Sequence, residues 1–506
     1  MKTENRDIII IGAGLTGLTL AHYLKKKGRT PLILERADRP GGVIQSHTEQ
    51  GFTYESGPNT GVLSTKEIAM LFEDLSHHCT LETGQGGANK RYVMKSGRWE
   101  PLPSGLISAV KTPLFTLMDK FRILGEPFRK PGNNPDETVA DMVRRRLGKS
   151  FLDFAVDPFI SGIYAGDPSR LVTRYALPKL YALEQNYGSF IRGTFKKARE
   201  TKSDDEKKAT KEVFSVKGGL GNLIAALEKE IGKENIRYGV RDLKTDYTGK
   251  GFTVSYTLPG DAAPGGDTSG RPVSGGATSG RPVSGGDTLG SPVPGGEGPA
   301  AGSTGRDSGA AETQSVDCSR LVSTAGGYAL PEILTFIPPE DLDPILSLNY
   351  AGVVQVAAGY SRWTGTPLDA FGGLVPSREK RQILGILFPS AIFLERAPEG
   401  GALLSVFLGG TRNRELITKS DREITDIALG EIRKSLGADG EPDLLKIFRY
   451  EKAIPQYEIT TGERLECIAE IEGRYPGLIL AGNIRDGIGM ADRVRQASNI
   501  ADMLTE

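Results

Sequence analysis

The sequence predicts an α/β chain in which a Rossmann-like dinucleotide-binding domain is interrupted by a mixed-sheet lobe and a helical lobe. Three observations carry that expectation. An apolar strand, IIIIG, runs directly into a Gly-x-Gly-x-x-Gly turn and a helix at the start of the chain. The same order of strand, glycine-rich bend and amphipathic helix returns at 478–504 as LILAGNIRDGIGMADRVRQASNIADML. Between the two ends, residues 104–215 read mostly helical, and residues 345–450 read as strands with one helix.

Taken in order, residues 6–12 form a strand, 15–27 a helix and 31–36 a second strand, which is a βαβ unit. The turn between them is Gly12-Ala13-Gly14-Leu15-Thr16-Gly17. Gly12 makes the tight turn, Gly14 lets backbone approach a pyrophosphate, and Gly17 permits close helix–strand packing. The helix start adds free N–H groups and a positive dipole end for phosphates. The second strand ends in Glu35, eighteen residues beyond Gly17, where a carboxylate accepts hydrogen bonds from both ribose hydroxyls. That disfavours a 2′-phosphorylated cofactor, but the βαβ pattern alone does not choose between FAD and NAD. DETVADMVRRRLG and PKLYALEQNYGSFIRGTF then read as amphipathic helices, and VVQVAAGYS, ILGILF and ALLSVFLGG as strands. Residues 259–311 stand apart: SGRPVSGG occurs at 269–276 and again at 279–286, and glycine, proline, serine and threonine dominate. Such a composition cannot bury enough apolar surface to offset its ordering entropy, so this segment is expected to be disordered. Strand-like GFTVSYTL before it and SRLVSTAG after it mark an insertion into a loop.

Composition excludes several functions. Lys+Arg and Asp+Glu are equal at 63 each, so no net charge draws the chain to nucleic acid. Three widely spaced cysteines without a CxxC argue against disulfides and metal–sulfur sites. His22, His47, His77 and His78 show no ligand spacing along the chain, so no metal site is expected. The polar start MKTENRD lacks the pattern of a signal peptide, and no run of about 18 apolar residues exists. A cytoplasmic protein is expected. SGLISAVKTPLFTLMDKFRIL (104–124) mixes apolar and basic residues at roughly helical spacing. Such a helix either lies on a membrane surface or turns its apolar stripe to the core.

After Glu35 come Arg36, Gly41, Gly42 and Val43, and then Gly57-Pro58-Asn59-Thr60. The spacing of Glu35 to Gly41-Gly42 resembles the ExxxxxGG extension of the FAD-dependent amine-oxidase superfamily. That resemblance implies non-covalent FAD, held by Gly12, Ala13, Gly14, Leu15, Thr16, Gly17, Glu35, Arg36, Gly41, Gly42, Val43, Gly57, Pro58, Asn59 and Thr60. It further implies that Val240 offers a backbone amide and carbonyl to adenine. The closing segment would return to the flavin, placing Gly482, Asn483, Ile488, Gly489 and Met490 against the ring, with the helix dipole facing its pyrimidine edge.

Further stretches narrow the likeness. NKRYVMKSGRWEPLPSG, DPFISGIYAGDP, GGLVPSREKRQILGILFPSAIFLERAPEG and GNIRDGIGM resemble, in that order, the oxygen-dependent porphyrinogen oxidases of haem biosynthesis, over essentially the whole chain except the insertion. The resemblance implies an FAD-binding Rossmann-like domain with an inserted mixed-sheet substrate domain and a helical domain. The FAD-binding parts would be 1–85, 213–258, 312–340 and 466–506, the substrate parts 86–103 and 341–465, and the helical, membrane-facing part 104–212. It implies six-electron oxidation of protoporphyrinogen IX by O2, giving H2O2, with flavin N5 as hydride acceptor and no side-chain catalyst identified. Arg91 would pair with a propionate, Leu374 and Phe388 would sandwich the macrocycle, and Gly162 would meet its face. Coproporphyrinogen III is the alternative substrate. A peripheral contact on the inner face of the cell membrane and a homodimer belong to the same set of expectations. More distant readings are an amine oxidase, a carotenoid desaturase or a non-enzymatic scaffold. Trp99 and Trp363 sit in no aromatic-cage motif, and the intact glycine set argues against a scaffold.

Overall fold

The computed structural model describes residues 4–103, 108, 111–201, 203–259 and 312–506. The disorder expected of 259–311 therefore lies, from residue 260 on, outside the described residues, as does part of 104–110.

The initial IIII run becomes the strand Glu4–Ile11, and its period-2 alternation divides the isoleucines between two layers. Ile8 and Ile10 join one apolar cluster with Leu18, Leu227 and Val494, whereas Ile9 and Ile11 join another with Leu334, Ile345 and Ile468. Each fully buried isoleucine contributes about 1.5–3 kcal/mol. The strand is flanked in parallel by Leu32–Leu34 and by Glu312–Ser323. Ile236–Arg237 extends one edge, and Phe252–Leu258 and Arg241–Tyr247 add an antiparallel arm on the other. Leu478–Leu480 from the chain end pairs in parallel with Leu321–Ser323. The sheet is thus assembled from the start, the middle and the end of the sequence. Leu258 pairs with Glu312, so the 259–311 insertion leaves and re-enters between facing positions of one antiparallel ladder, where a hairpin turn would suffice. Helices Leu15–Lys26, Gly221–Ile231, Lys66–Asp74 and Met490–Met503 form one covering layer.

A second seven-stranded sheet has the order Leu444–Pro455, Tyr350–Tyr360, Ala402–Gly409, Ile383–Leu387, Gly372–Leu374, Arg91–Lys95, Arg98–Pro101. One face is covered by helix Asp421–Leu436, which starts with a Ser420/Glu423 capping box and stops at Gly437 in the left-handed region (φ +67°). The helical lobe comprises Val139–Arg146, Asp157–Tyr164, Pro178–Tyr187, Phe190–Ala198 and shorter turns. Its buried Arg146 pairs with Glu126 and Glu184, all three side chains being wholly buried. Removing one partner would leave an uncompensated charge, so these residues tie the lobe together. Among the described residues no helix is long and apolar enough to cross a membrane.

Candidate active site

The three turn glycines have three different surroundings. Gly12 takes φ +100°, and its N–H donates to the Leu34 carbonyl (2.8 Å). A Cβ on Gly17 would sit 2.0 Å from the Gly12 carbonyl oxygen, so helix and turn touch there. A Cβ on Gly14 would meet no protein atom within 4 Å. The second pair folds back on this turn: the Gly41 N–H donates to the Ala13 carbonyl (2.7 Å), and a Cβ on Gly42 would lie 3.7 Å from the Gly14 Cα. Gly41 and Gly42 both have positive φ, +97° and +58°. The result is a bare backbone cradle of two glycine turns. Glu35 closes one end, its Oε2 accepting from the Ala13 N–H (2.6 Å) and its Oε1 from the Ala37 N–H (2.8 Å). This side-chain-free cradle, at the start of helix Leu15–Lys26, has a shape that fits a dinucleotide diphosphate.

Other expected FAD contacts are placed as follows. Leu15 and Thr16 bury their side chains, leaving only backbone for a ligand, while Arg36 and Val43 are exposed. Gly57, at the head of the segment Pro58-Asn59-Thr60, packs so closely that its Cβ would be 2.1 Å from the Val43 carbonyl oxygen. Asn59 accepts a hydrogen bond from the Ser405 hydroxyl (2.7 Å), which ties this segment to the second sheet. The expectation for Val240 needs amending: its N–H donates to the Glu35 carbonyl (3.0 Å), so the amide is already engaged.

The closing bend is held from beneath. Gly482 has φ +90°, and its carbonyl accepts from the buried Arg493 guanidinium, which also donates to the carbonyls of Arg485 and Gly487 (2.8 Å each). Arg464, wholly buried, donates to the Ile484 carbonyl (3.0 Å). The Tyr457 hydroxyl lies 2.9 Å from the Gly487 carbonyl and 3.2 Å from that of Asn483. Among the described residues neither arginine has a carboxylate within ion-pair distance, and Arg493 Nε and Arg464 Nη1 are buried without a partner. Burial pulls both guanidinium groups below their ordinary value and pushes the Tyr457 phenol up to about 12. Ile488 packs against the helical lobe, and the Met490 side chain is buried in the domain core. The Gly489 N–H donates to Asp492 (3.2 Å), which caps the helix start. Sequence reading missed Arg464, Arg493 and Tyr457, because an arginine on an amphipathic helix normally marks the solvent face.

The second sheet sorts the substrate-side residues by face. Paired residues share a face: Arg91 with Gly372, Gly372 with Leu387, Leu374 with Gly385, and Gly385 with Phe407. Arg91, Leu374, Leu387 and Phe407 therefore line one side, and all four are partly exposed. Helix Asp157–Tyr164 lies over it, since a Cβ on Gly162 would stand 2.5 Å from Leu374 Cδ2. Phe159 and Ile163, four apart on this helix, share a face and are 43% and 44% exposed. Arg91 stands 5.2 Å from the Phe371 ring, with no carboxylate in ion-pair range among the described residues. Phe388 is corrected. It is 1% exposed and clusters with Ile386, Val406 and Met94 on the opposite, helix-covered face. It fills core, whereas Leu387 and Phe407, which the sequence did not single out, turn to the Leu374 side. Asp157 and Asp167 are both bound by Arg412 (2.7 and 2.9 Å), and Asp157 also accepts from the Ser377 N–H (2.7 Å). Burial alone would raise the Asp167 carboxyl, but hydrogen bonds from Arg412 and Ser169 hold it below the usual range. The two aspartates clamp the helical lobe to the second sheet.

Two glycine turns with a terminal carboxylate, a returning closing bend, and an inserted sheet with an apolar face define a two-lobed FAD-dependent oxidoreductase. The chain belongs to the flavin-containing amine oxidoreductase family, whose profile matches residues 15–266 and 302–501. A mitochondrial protoporphyrinogen oxidase of Nicotiana tabacum is 28% identical over 99% of this chain and 94% of its own. A coproporphyrinogen III oxidase of Bacillus subtilis is 24% identical, covering 100% and 99%. The crystal structure of an Exiguobacterium protein, provisionally described as a protoporphyrinogen oxidase, superposes with a TM-score of 0.73 at 21% identity, over 100% of this chain and 99% of that one. A putrescine oxidase superposes with a TM-score of 0.63 at 14% identity over 99% of both chains, so the architecture is shared well beyond porphyrin chemistry.

Proposed function

We propose that this flavoprotein oxidises protoporphyrinogen IX to protoporphyrin IX, removing six electrons in three two-electron cycles and passing them to three O2 to give three H2O2. The observation that carries the reading is the sheet face on which a carboxylate-free Arg91 precedes the apolar strip Leu374, Leu387 and Phe407. A flat apolar macrocycle with propionates on one side asks for that combination, and a guanidinium suits a carboxylate bidentately. FAD, when bound, supplies the two-electron acceptor, and the cradle from Gly12 to Gly17 with Glu35, Gly41, Gly42 and the 57–60 segment would hold it. Leu374, Leu387 and Phe407 would meet the macrocycle, with Gly162, Phe159 and Ile163 of the overlying helix bordering it. Asp157 and Asp167 are tied up by Arg412, so proton loss falls to solvent or backbone, and catalysis rests on positioning.

Coproporphyrinogen III is the second reading, because the Bacillus subtilis relative named for it matches the entire chain. The test is porphyrin fluorescence on mixing the aerobic holoprotein with each porphyrinogen. Emission above autoxidation that depends on oxygen supports the reading, and the faster substrate chooses between the two. A yellow protein silent toward both would overturn it.

The helix Leu117–Leu124 buries none of its residues, and Leu117, Met118, Phe121 and Leu124 are 68–78% exposed. Phe128 and Phe195 lie open on the same lobe. We assign this surface to peripheral contact with the inner face of the cell membrane, which suits a lipophilic substrate. Sedimentation with anionic vesicles should carry the wild type down and leave a Leu117→Ser/Phe121→Ser variant in solution. A protein that ignores vesicles and elutes as a dimer would give this face to a second copy.

A further inference from the structure

The turn after helix Lys66–Asp74 carries His77 and His78 toward Glu230, near the end of helix Gly221–Ile231. Both imidazole Nε2 atoms lie 3.4 Å from the same Glu230 oxygen. The three donor atoms all fall within 4.8 Å of one another, and the two rings are 3.9 Å apart at their centroids. A separation of 3.4 Å exceeds the hydrogen-bond range of about 2.7–3.2 Å. It does match the edge of a coordination tetrahedron: metal–ligand bonds of about 2.0–2.1 Å place ligand atoms about 3.3–3.4 Å apart. Two imidazoles and one carboxylate form a borderline donor set, suited to zinc and its late first-row neighbours rather than to calcium or magnesium.

From this geometry we infer that His77, His78 and Glu230 bind a divalent cation of the zinc type, with water in the fourth position. His77 is the solvent side of the site, its side chain being 58% exposed. A cleft lined by His78, Cys79, Lys217 and Lys229 opens beside it and offers a route in. Lys229 and Lys25, the latter bonded to the Glu230 carbonyl (2.5 Å), oppose a second positive charge, so affinity is moderate. The cation would act as a clamp. Helix Gly221–Ile231 backs the glycine cradle, for Ile224 Cγ2 lies 2.9 Å from where Gly41 would carry a Cβ. Helix Lys66–Asp74 packs against the closing helix Met490–Met503. Joining the two would brace the layer behind the cofactor cradle without touching the reacting groups. Ligand spacing along the chain gave no hint of this cluster, because Glu230 arrives from a distant helix.

The experiment is titration of chelator-washed holoprotein with zinc chloride, followed by calorimetry and by thermal melting. One equivalent should bind and raise Tm. His77→Ala and Glu230→Gln should each weaken binding by at least about tenfold. His77 is exposed, Glu230 is partly exposed and Glu230→Gln keeps its shape, so Tm without zinc and the flavin spectrum should stay as in the wild type. Absence of binding up to about 100 µM zinc, or undiminished affinity in a His77→Ala/Glu230→Gln double variant, would overturn the assignment. If either variant melts early without zinc, the His77→Gln protein, which keeps the polar surface, decides by the same two readings.

Discussion

Gly14→Ala separates a glycine needed by a ligand from one needed by the fold. Its backbone is ordinary, with φ −71° and ψ 178°, and the added methyl meets no protein atom within 4 Å. The apoprotein should therefore keep its stability, or gain about 0.4–1 kcal/mol because the unfolded chain loses freedom. On the cofactor reading, that empty space belongs to the diphosphate. A methyl group forced into a filled site costs about 1–3 kcal/mol, which weakens FAD binding about 5–150-fold. Gly17→Ala is the contrast. Its methyl would stand 2.0 Å from the Gly12 carbonyl oxygen, a backbone atom that cannot swing away. That variant should melt early with or without cofactor, losing more than about 3 kcal/mol. The assay titrates deflavinated protein with FAD by fluorescence quenching and measures apoprotein melting in parallel. Wild-type FAD affinity in Gly14→Ala, or an apoprotein as unstable as Gly17→Ala, would refute the argument that this turn is a phosphate cradle.

Other outcomes follow from the same geometry. Arg91→Ala removes a charge-assisted contact worth about 1.5–3 kcal/mol, so KM should rise about 10–150-fold with a much smaller fall in kcat, and Arg91→Lys should lie between; an unchanged KM removes Arg91 from the substrate site. Phe388→Ala should lower stability by about 3–5 kcal/mol with KM nearly unchanged, whereas Leu387→Ala should move KM more than Tm; steady-state kinetics beside melting curves would expose the reverse pattern. Burial pushes the His22 imidazole below its ordinary 6.5, against the pull of Asp74. The unfolded chain therefore takes up a proton that the fold resists, so this contribution is whole above about pH 6.5 and is lost as pH falls toward the lowered value. Tm should drop between about pH 7.5 and 5.5 by more in the wild type than in His22→Gln, and equal slopes would dismiss His22 as a source of acid sensitivity.

What the sequence disclosed and what it hid divide along physical lines. The glycines of the cradle were legible because a positive φ at Gly12 and a touching contact at Gly17 are local demands that only one residue type meets. The strands on either side of 259–311 were legible as strands, and Phe252–Leu258 and Glu312–Ser323 pair antiparallel. Phe388 was placed at the macrocycle by resemblance alone, and a resemblance does not carry strand parity, in which one residue of shift exchanges the two sides. The register between Ile383–Leu387 and Ala402–Gly409 is itself irregular, between Ile383 and Gly385, so counting along ILGILF alone does not reveal which residues face Arg91. The Arg412 clamp on Asp157 and Asp167 was hidden for a different reason: its arginine comes from far along the chain, beyond the reach of any local pattern.

The closing bend shows the same limit from the other side, and it explains why two costly arginines are buried there. A guanidinium without a carboxylate partner is expensive to bury, so its hydrogen bonds must do something that a neutral side chain cannot. Arg493 and Arg464 draw the carbonyl groups of Gly482, Ile484, Arg485 and Gly487 toward the protein interior. In a trans peptide the N–H points opposite to the C=O, and the described residues contain no cis bond. The N–H groups of Asn483, Arg485, Asp486 and Ile488 therefore point away from the carbonyls that the guanidinium groups hold. If the bend meets the flavin ring, as proposed, a ring that gains negative charge on reduction would be served by N–H groups already oriented, because no reorganisation is then needed when the charge arrives. On that proposal the two arginines would fix the bend's peptide groups through its carbonyls and add positive charge close by.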